Sequence, residues 1–245
     1  MKTKINIKRI LSLMLIIIFS IGILYSAYNL IIWKKSVDTN KKINEKINEA
    51  ITINEEEKNY IIDFETLKKQ NPDTIAYLKV NNTNINYVVV RGKDNSYYLN
   101  HNFNRENNVA GWVFADYKNK FDGTDKNIII YAHNTQDGSM FGTLKNIMTK
   151  NWQNNEENKI ITLITEQGEA MYQVFSVYKI EAEDYYIRTE FTDKDFEYFV
   201  NKLKKRSVYD FKVEDSYNQV LTLSTCSETG KERVVLHAGL ITPKE

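Results

Sequence analysis

The segment from Ile10 to Trp33, ILSLMLIIIFSIGILYSAYNLIIW, constrains this chain more than any other feature: it is 24 residues long and carries no charge. As a helix rising 1.5 Å per residue it reaches about 36 Å, enough to cross the ~30 Å hydrocarbon core of a bilayer with some tilt. A core helix rarely lacks charge for so many turns. A cleaved signal peptide has a shorter apolar stretch and a small-residue cleavage site, and neither is present. The expectation is a signal-anchor: residues 1–9 as a cytoplasmic tail, 10–33 as the transmembrane span, 34–54 as a stalk, and 55–245 as a domain outside the cell membrane. Charge does not settle the orientation. Lys2, Lys4, Lys8 and Arg9 precede the run, while Lys34, Lys35, Lys41, Lys42 and Lys46 follow it. Beyond the tail, 29 basic residues face 32 acidic ones, so net charge does not draw the domain to an anionic surface.

The whole chain has 245 residues and a formal net charge of +1, without the basic excess that a general nucleic-acid binder needs. Its single cysteine excludes an internal disulfide framework, and three histidines make a His-rich metal site improbable on composition. Residues 36–70 are polar and helix-prone. Ile43, Ile47 and Ala50, then Ile61, Phe64 and Leu67, recur at helical spacing, which reads as a stalk and a first packed helix. After Asn71-Pro72 the pattern changes to short apolar runs between Asn, Asp and Gly clusters. Strands are expected over Thr74–Val80, Ile85–Val90, Trp112–Phe114, Asn127–Tyr131, Lys159–Thr165, Ala170–Ile180, Gln219–Thr225 and Arg233–Ile241. Helices are expected over Met140–Lys150 and Asp193–Arg206, the second with Thr192 and Asp195 placed as a capping box and Phe196, Phe199, Val200 and Leu203 on one face. The fold class is mainly β, a closed barrel with N-terminal helices and an inserted helix.

Cys226 ends the apolar run VLTLSTC and is followed by polar SETGKE, so a strand delivers it to a loop mouth. A lone cysteine is more often a small buried hydrophobe than a nucleophile. A free thiol outside the cell, however, gains no disulfide and stays open to oxidation. Arg233 opens the next strand seven residues on, where a guanidinium near the sulfur favours thiolate and steadies an oxyanion; the alternative is a solvated charge at a strand edge. His133 follows NIIIYA at another strand end, in reach of general acid–base work. His101 reads as solvent-exposed, and His237 as a hydrogen-bonded residue within its strand. No P-loop, GxGxxG, HExxH, CxxC or GxSxG motif occurs, and Asp116, Asp122, Asp125 and Asp137 read as turn formers.

The chain resembles the class B sortases. Thr222-Leu223-Ser224-Thr225-Cys226 looks like their nucleophile motif. Asn127 to Leu144, NIIIYAHNTQDGSMFGTL, looks like their catalytic-His segment. Asn71–Leu78 and Lys93–Leu99 match further stretches. The resemblance covers roughly residues 55–242, and the long helix before the nucleophile strand points to class B. Three features depart from the pattern: Ala132 replaces the usual Gly before the His, Val88 stands where Pro is frequent, and the Cys-to-Arg loop is short.

The resemblance implies a membrane-anchored cysteine transpeptidase. Cys226 would attack the Thr carbonyl of a Thr–Gly-like or Thr–Asn-like bond in a surface protein's C-terminal sorting signal, His133 would protonate the leaving amine, and Arg233 would hold the oxyanion or the substrate carbonyl. A cell-wall precursor amine would then open the thioester. It further implies a substrate groove involving Asn95, Leu99, Tyr186, Ile187 and Ser224, with no cofactor and no metal. Polymerisation of pilins, simple hydrolysis, and a non-enzymatic binding role on the same scaffold are the competing expectations.

Overall fold

The computed structural model describes residues 7–49, 51–54, 59–181, 183–211, 216–226 and 232–241; the side chains of 53, 54, 59 and 226 lie outside that description. The first element, α1 (Ile7–Asn48), is one unbroken helix of 42 residues. Its first half is exposed and apolar, long enough to cross a membrane. The helix continues without a break into the expected stalk as far as Asn48, and Asn40 and Ile47 are buried against the domain. A hairpin of β1 (Ile51–Asn54) and β2 (Asn59–Ile62) follows. Ile61, expected on a helix, lies in β2 and is exposed. The β-branched pair Ile61-Ile62 favours the strand. The helix begins only where the Asp63 carboxylate accepts from the Thr66 amide, opening α2 (Phe64–Gln70) with Phe64 and Leu67 buried.

The domain is a closed eight-stranded barrel of β3 (Thr74–Val80), β4 (Asn86–Val90), β5 (Phe114–Ala115), β6 (Asn127–His133), β7 (Ile160–Thr165), β8 (Gly168–Glu181), β9 (Val220–Cys226) and β10 (Glu232–Leu240). They run in the order β10-β8-β7-β3-β4-β5-β6-β9. All neighbours are antiparallel except β4/β5 and β6/β9. A parallel β6/β9 pair needs a long crossover, and β7, β8 and the helix after them supply it.

Two hydrophobic layers result. The larger cluster includes Leu78, Val88, Ile130, Leu163, Leu221, Leu223 and Leu236. The second lies under α4 (Asp193–Arg206), where Phe196, Phe199, Val200 and Leu203 pack on Phe175, Tyr178, Tyr217 and Val235. The Thr192 N-cap is present, without the reciprocal half of a capping box: its Oγ1 accepts from the Asp195 amide and donates to the Asp195 carboxylate. Lys204, Lys205 and Arg206 close the helix where its dipole favours cations.

The other expected helix differs. Residues 134–143 form turns, and helical structure starts only with a 3-10 segment at Leu144–Met148 and a single turn, α3 (Lys150–Gln153). The Thr135 hydroxyl bonds the Ser139 carbonyl, and the Asp137 carboxylate accepts from the Ser139 amide and hydroxyl. These side chains offer the backbone a turn in place of a helix, and Met140 takes a left-handed φ of 49°.

Candidate active site

The parallel register of β6 and β9 pairs His133 with Cys226, Tyr131 with Ser224 and Ile129 with Thr222. On the other side of β9, antiparallel β10 pairs Val235 with Ser224 and His237 with Thr222. Continuing that register by two residues puts Arg233 opposite Cys226. Side chains alternate along a strand, so His133, Cys226 and Arg233 belong to one pleat face at one end of the barrel. The Cys226 side chain and residues 227–231 lie outside the described residues.

His133 is half-buried, and its Nε2 lies 2.8 Å from the Leu99 carbonyl oxygen. A carbonyl can only accept, so Nε2 carries a proton and Nδ1 is the nitrogen left to exchange one. Gly111 makes this seat possible. Its φ is +59°, and a Cβ there would sit 2.6 Å from Tyr98 O, 2.8 Å from Leu99 O and 2.9 Å from His133 Cδ2. Any side chain would push on both the ring and the carbonyl that orients it.

Arg233 Nη1 donates to the Tyr186 hydroxyl at 3.1 Å, and that hydroxyl lies 3.0 Å from Ser224 Oγ. Tyr186, expected to form a groove wall, is instead fully buried and reaches the site through its hydroxyl alone. Asn127 fixes its backbone, donating to the carbonyls of Tyr186 and Arg188 at 3.1 and 2.9 Å. Asn127 is itself held by a buried chain whose proton directions can be assigned throughout. Thr222 donates to Asn127 Oδ1 at 2.7 Å, so its oxygen accepts from His237 Nδ1 at 2.9 Å. His237 Nε2 then accepts from the Tyr178 hydroxyl at 2.8 Å, which in turn accepts from Tyr185 at 2.6 Å. This pattern requires a neutral imidazole. Burial pushes the His237 pKa down to about 3, which keeps it neutral.

A cavity of about 180 Å³ opens on this face, lined by Asn95, Leu99, Phe114, Tyr131, Ile187, Ser224, Thr225 and Arg233. Four of the five expected substrate-side residues are therefore brought together around it, with Tyr186 behind. Asn95 is fixed by donating to Asp116 at 2.8 Å and accepting from the Tyr117 amide at 3.0 Å. Tyr131 donates to the same carboxylate at 2.9 Å, and burial together with that charge raises its pKa. The sequence reading did not single out Tyr131, although it sits two residues before His133 and alternation puts both on one face. Phe114 and Asn127 gave no sequence signal of their own. His101 is half-buried rather than exposed, stacked on Tyr97 at 3.9 Å with Nδ1 on the Tyr97 carbonyl.

A closed barrel carrying a Cys, His and Arg on adjacent strands describes a class of cysteine acyl-transfer enzymes, and a family model described as the sortase domain matches residues 78–241. The chain belongs to the sortase family and, within it, to the class B cysteine transpeptidases. It is 37% identical over 179 residues to sortase B of Staphylococcus aureus (strain NCTC 8325 / PS 47), covering 71% of this chain and 72% of that one. It is 39% identical over 183 residues to sortase B of Listeria monocytogenes serovar 1/2a (strain ATCC BAA-679 / EGD-e), covering 72% and 73%. A solved sortase B complexed with triglycine superposes with a TM-score of 0.73 at 31% identity, covering 86% of this chain and 99% of that one.

Proposed function

We propose that this transpeptidase is anchored in the cell membrane by residues 10–33, with residues 1–9 inside and its catalytic domain outside. There it cleaves the C-terminal sorting signal of surface proteins after a Thr. The Cys226 thiolate attacks the Thr carbonyl carbon, and Arg233 stabilises the oxyanion. The C–N bond breaks, His133 passes its Nδ1 proton to the departing amine, and a thioester to Cys226 remains. An incoming cell-wall amine attacks that thioester, returns a proton to His133, forms the new amide and frees the thiolate. Each peptide bond broken is matched by one formed, so the two covalent steps need no nucleotide or cofactor. Asn95, Leu99, Ile187 and Ser224 contact the peptide, and Tyr186 orients Arg233 and Ser224 from behind.

The single observation carrying this reading is the parallel β6/β9 register that pairs His133 with Cys226. The relative solved with triglycine supports a primary-amine peptide as acceptor. The test incubates the full-length chain with NPQTN-, NPxTG- and PPxTG-type peptides, with and without triglycine or hydroxylamine, and reads products by mass spectrometry. Cleavage after Thr with an amine-dependent adduct is expected, and Cys226→Ala should give none. Hydrolysis that neither amine alters would assign the chain as a peptidase. Adducts formed only with a lysine side chain would make it a pilin polymerase.

A further inference from the structure

The span and the domain share one helix, and that helix is bound to the barrel along a single stripe. The Ser36 carbonyl accepts from Asn108 Nδ2 at 3.0 Å. Asn40 and Asn108 exchange amide hydrogen bonds, and Asn40 Nδ2 also donates to the Gly111 carbonyl at 2.8 Å. Asn44 donates to the Asn86 carbonyl, and Ile47 is 1% exposed. Positions 36, 40, 44 and 47 follow helical spacing on one face. Trp33, the last apolar residue of the run, is already half-buried, so the docked part begins where the span ends.

We propose that α1 is a rigid strut that seats the barrel on the lipid surface and fixes the candidate site at a set height above it. This rests on the membrane-anchor reading above. Ser36 is three residues past Trp33, about 4.5 Å along the helix and within the ~5–7 Å headgroup layer. Asn108, bonded to Ser36, therefore brings its neighbour Val109 to headgroup depth, and Val109 is an apolar side chain left 50% exposed. Lys34 and Lys35 are exposed at the same level, where their ammonium groups meet lipid phosphates. The link to the site is short. Asn40 holds Gly111, and Gly111 packs against His133. The path from Trp33 through seven helical residues, the Asn40 side chain and Gly111 to His133 is about 25 Å at most, whatever the tilt.

This height bounds one dimension of the substrate, the spacer between the scissile bond and the bilayer. At about 3.4 Å per extended residue, about seven residues span 25 Å. A spacer of that length reaches the site whatever the tilt, and a longer one dilutes the effective concentration gradually.

The test uses the full-length chain in vesicles of phosphatidylcholine and phosphatidylglycerol. A dye is placed on Val109→Cys in a Cys226→Ala background and read against lipids carrying a nitroxide at the headgroup. Strong quenching is expected. It should fall several-fold when a seven-residue helical insert, AEAAKEA, between Lys35 and Ser36 lifts the domain by about 10 Å with nearly the same facing. Equal quenching with and without the insert overturns the strut, because a loosely tethered domain samples both heights. A second readout does not depend on how the insert folds. The active chain cleaves lipid-tethered peptides of graded spacer length, and the rate should rise to a maximum at or below about seven residues and then decline slowly. A flat dependence from one residue upward overturns the strut. A chain that does not float with vesicles refutes the anchor and the strut together; one that floats without headgroup quenching refutes the strut alone.

Discussion

The two faces of β9 are built on opposite principles. Leu221 and Leu223 point into the main hydrophobic cluster and are fully buried. Thr222 and Ser224 on the other face are just as buried, yet each is hydrogen-bonded to a side chain of another segment: Asn127 and His237 for the first, Tyr186 for the second. The apolar face is non-directional and sets the strand's register through burial. The polar face is directional. Every donor there must meet an acceptor, so it fixes where the strap carrying Tyr186 and Ile187 lies and hence where Arg233 points. Stability is drawn mainly from one face and aim mainly from the other.

Substitutions on each face should separate these roles. The largest effect expected is from Cys226→Ala, a loss of at least about a thousandfold in turnover with little change in melting temperature; substantial residual turnover would remove the thiol from the mechanism. Leu223→Ala, one position from Ser224, should cost about 2–5 kcal/mol in denaturant unfolding. The fraction still folded should keep near-normal kcat. If kcat collapses instead, the apolar face also aims. Asn127→Ala frees two carbonyls of the strap and leaves Thr222 without its acceptor. It should cost about 1–3 kcal/mol and lower kcat/KM roughly tenfold, and in the strongest form of the comparison the activity loss exceeds what unfolding accounts for.

The most gradual effect is expected from pH. His237 titrates at about 3 in the fold against about 6.5 when unfolded. Between those values the unfolded chain binds a proton that the folded chain does not, so stability falls as pH drops from 6.5 toward 3. The slope approaches about 1.4 kcal/mol per pH unit from this group. His237→Gln should flatten the wild-type dependence of melting temperature on pH over that window. An unchanged slope would mean the imidazole is protonated inside the fold.

Much of this was legible in the sequence because the signals were local. The strands β3, β7, β9 and β10 announce themselves by β-branched runs between turn residues. Helix α4 does so by its cap and its Phe196, Phe199, Val200, Leu203 stripe. The placement of Cys226, His133 and Arg233 at strand ends was legible because each ends or opens an apolar run. What was not legible depended on distant partners. The hairpin β1/β2 sits in a stretch whose composition favours helix. The expected helix from Met140 gives way to turns closed by Thr135 and Asp137. Asn127 reads as the first residue of an ordinary strand, and only the fold shows that it holds the backbone 59 residues away at Tyr186. The bounds of the cytoplasmic tail, span and catalytic domain remain proposals of the sequence. Helix α1 passes through the expected boundary at residue 33 with no change in backbone.

Closure of the barrel has a further consequence for how a peptide is read. Among the described residues each barrel strand is hydrogen-bonded to a strand on either side, leaving few edges to which an extended substrate could add; pairing is thinnest at β5, joined to β4 by one residue pair and to β6 by two. Enzymes that bind peptides by strand addition gain affinity from the main chain and accept many sequences. On the proposed function that source is largely closed off, and discrimination falls to a few side chains around a cavity of about 180 Å³. For an enzyme working among newly exported, extended chains, as proposed above, few strand edges would then offer a wrong partner. The same closure leaves little template on which such chains could aggregate.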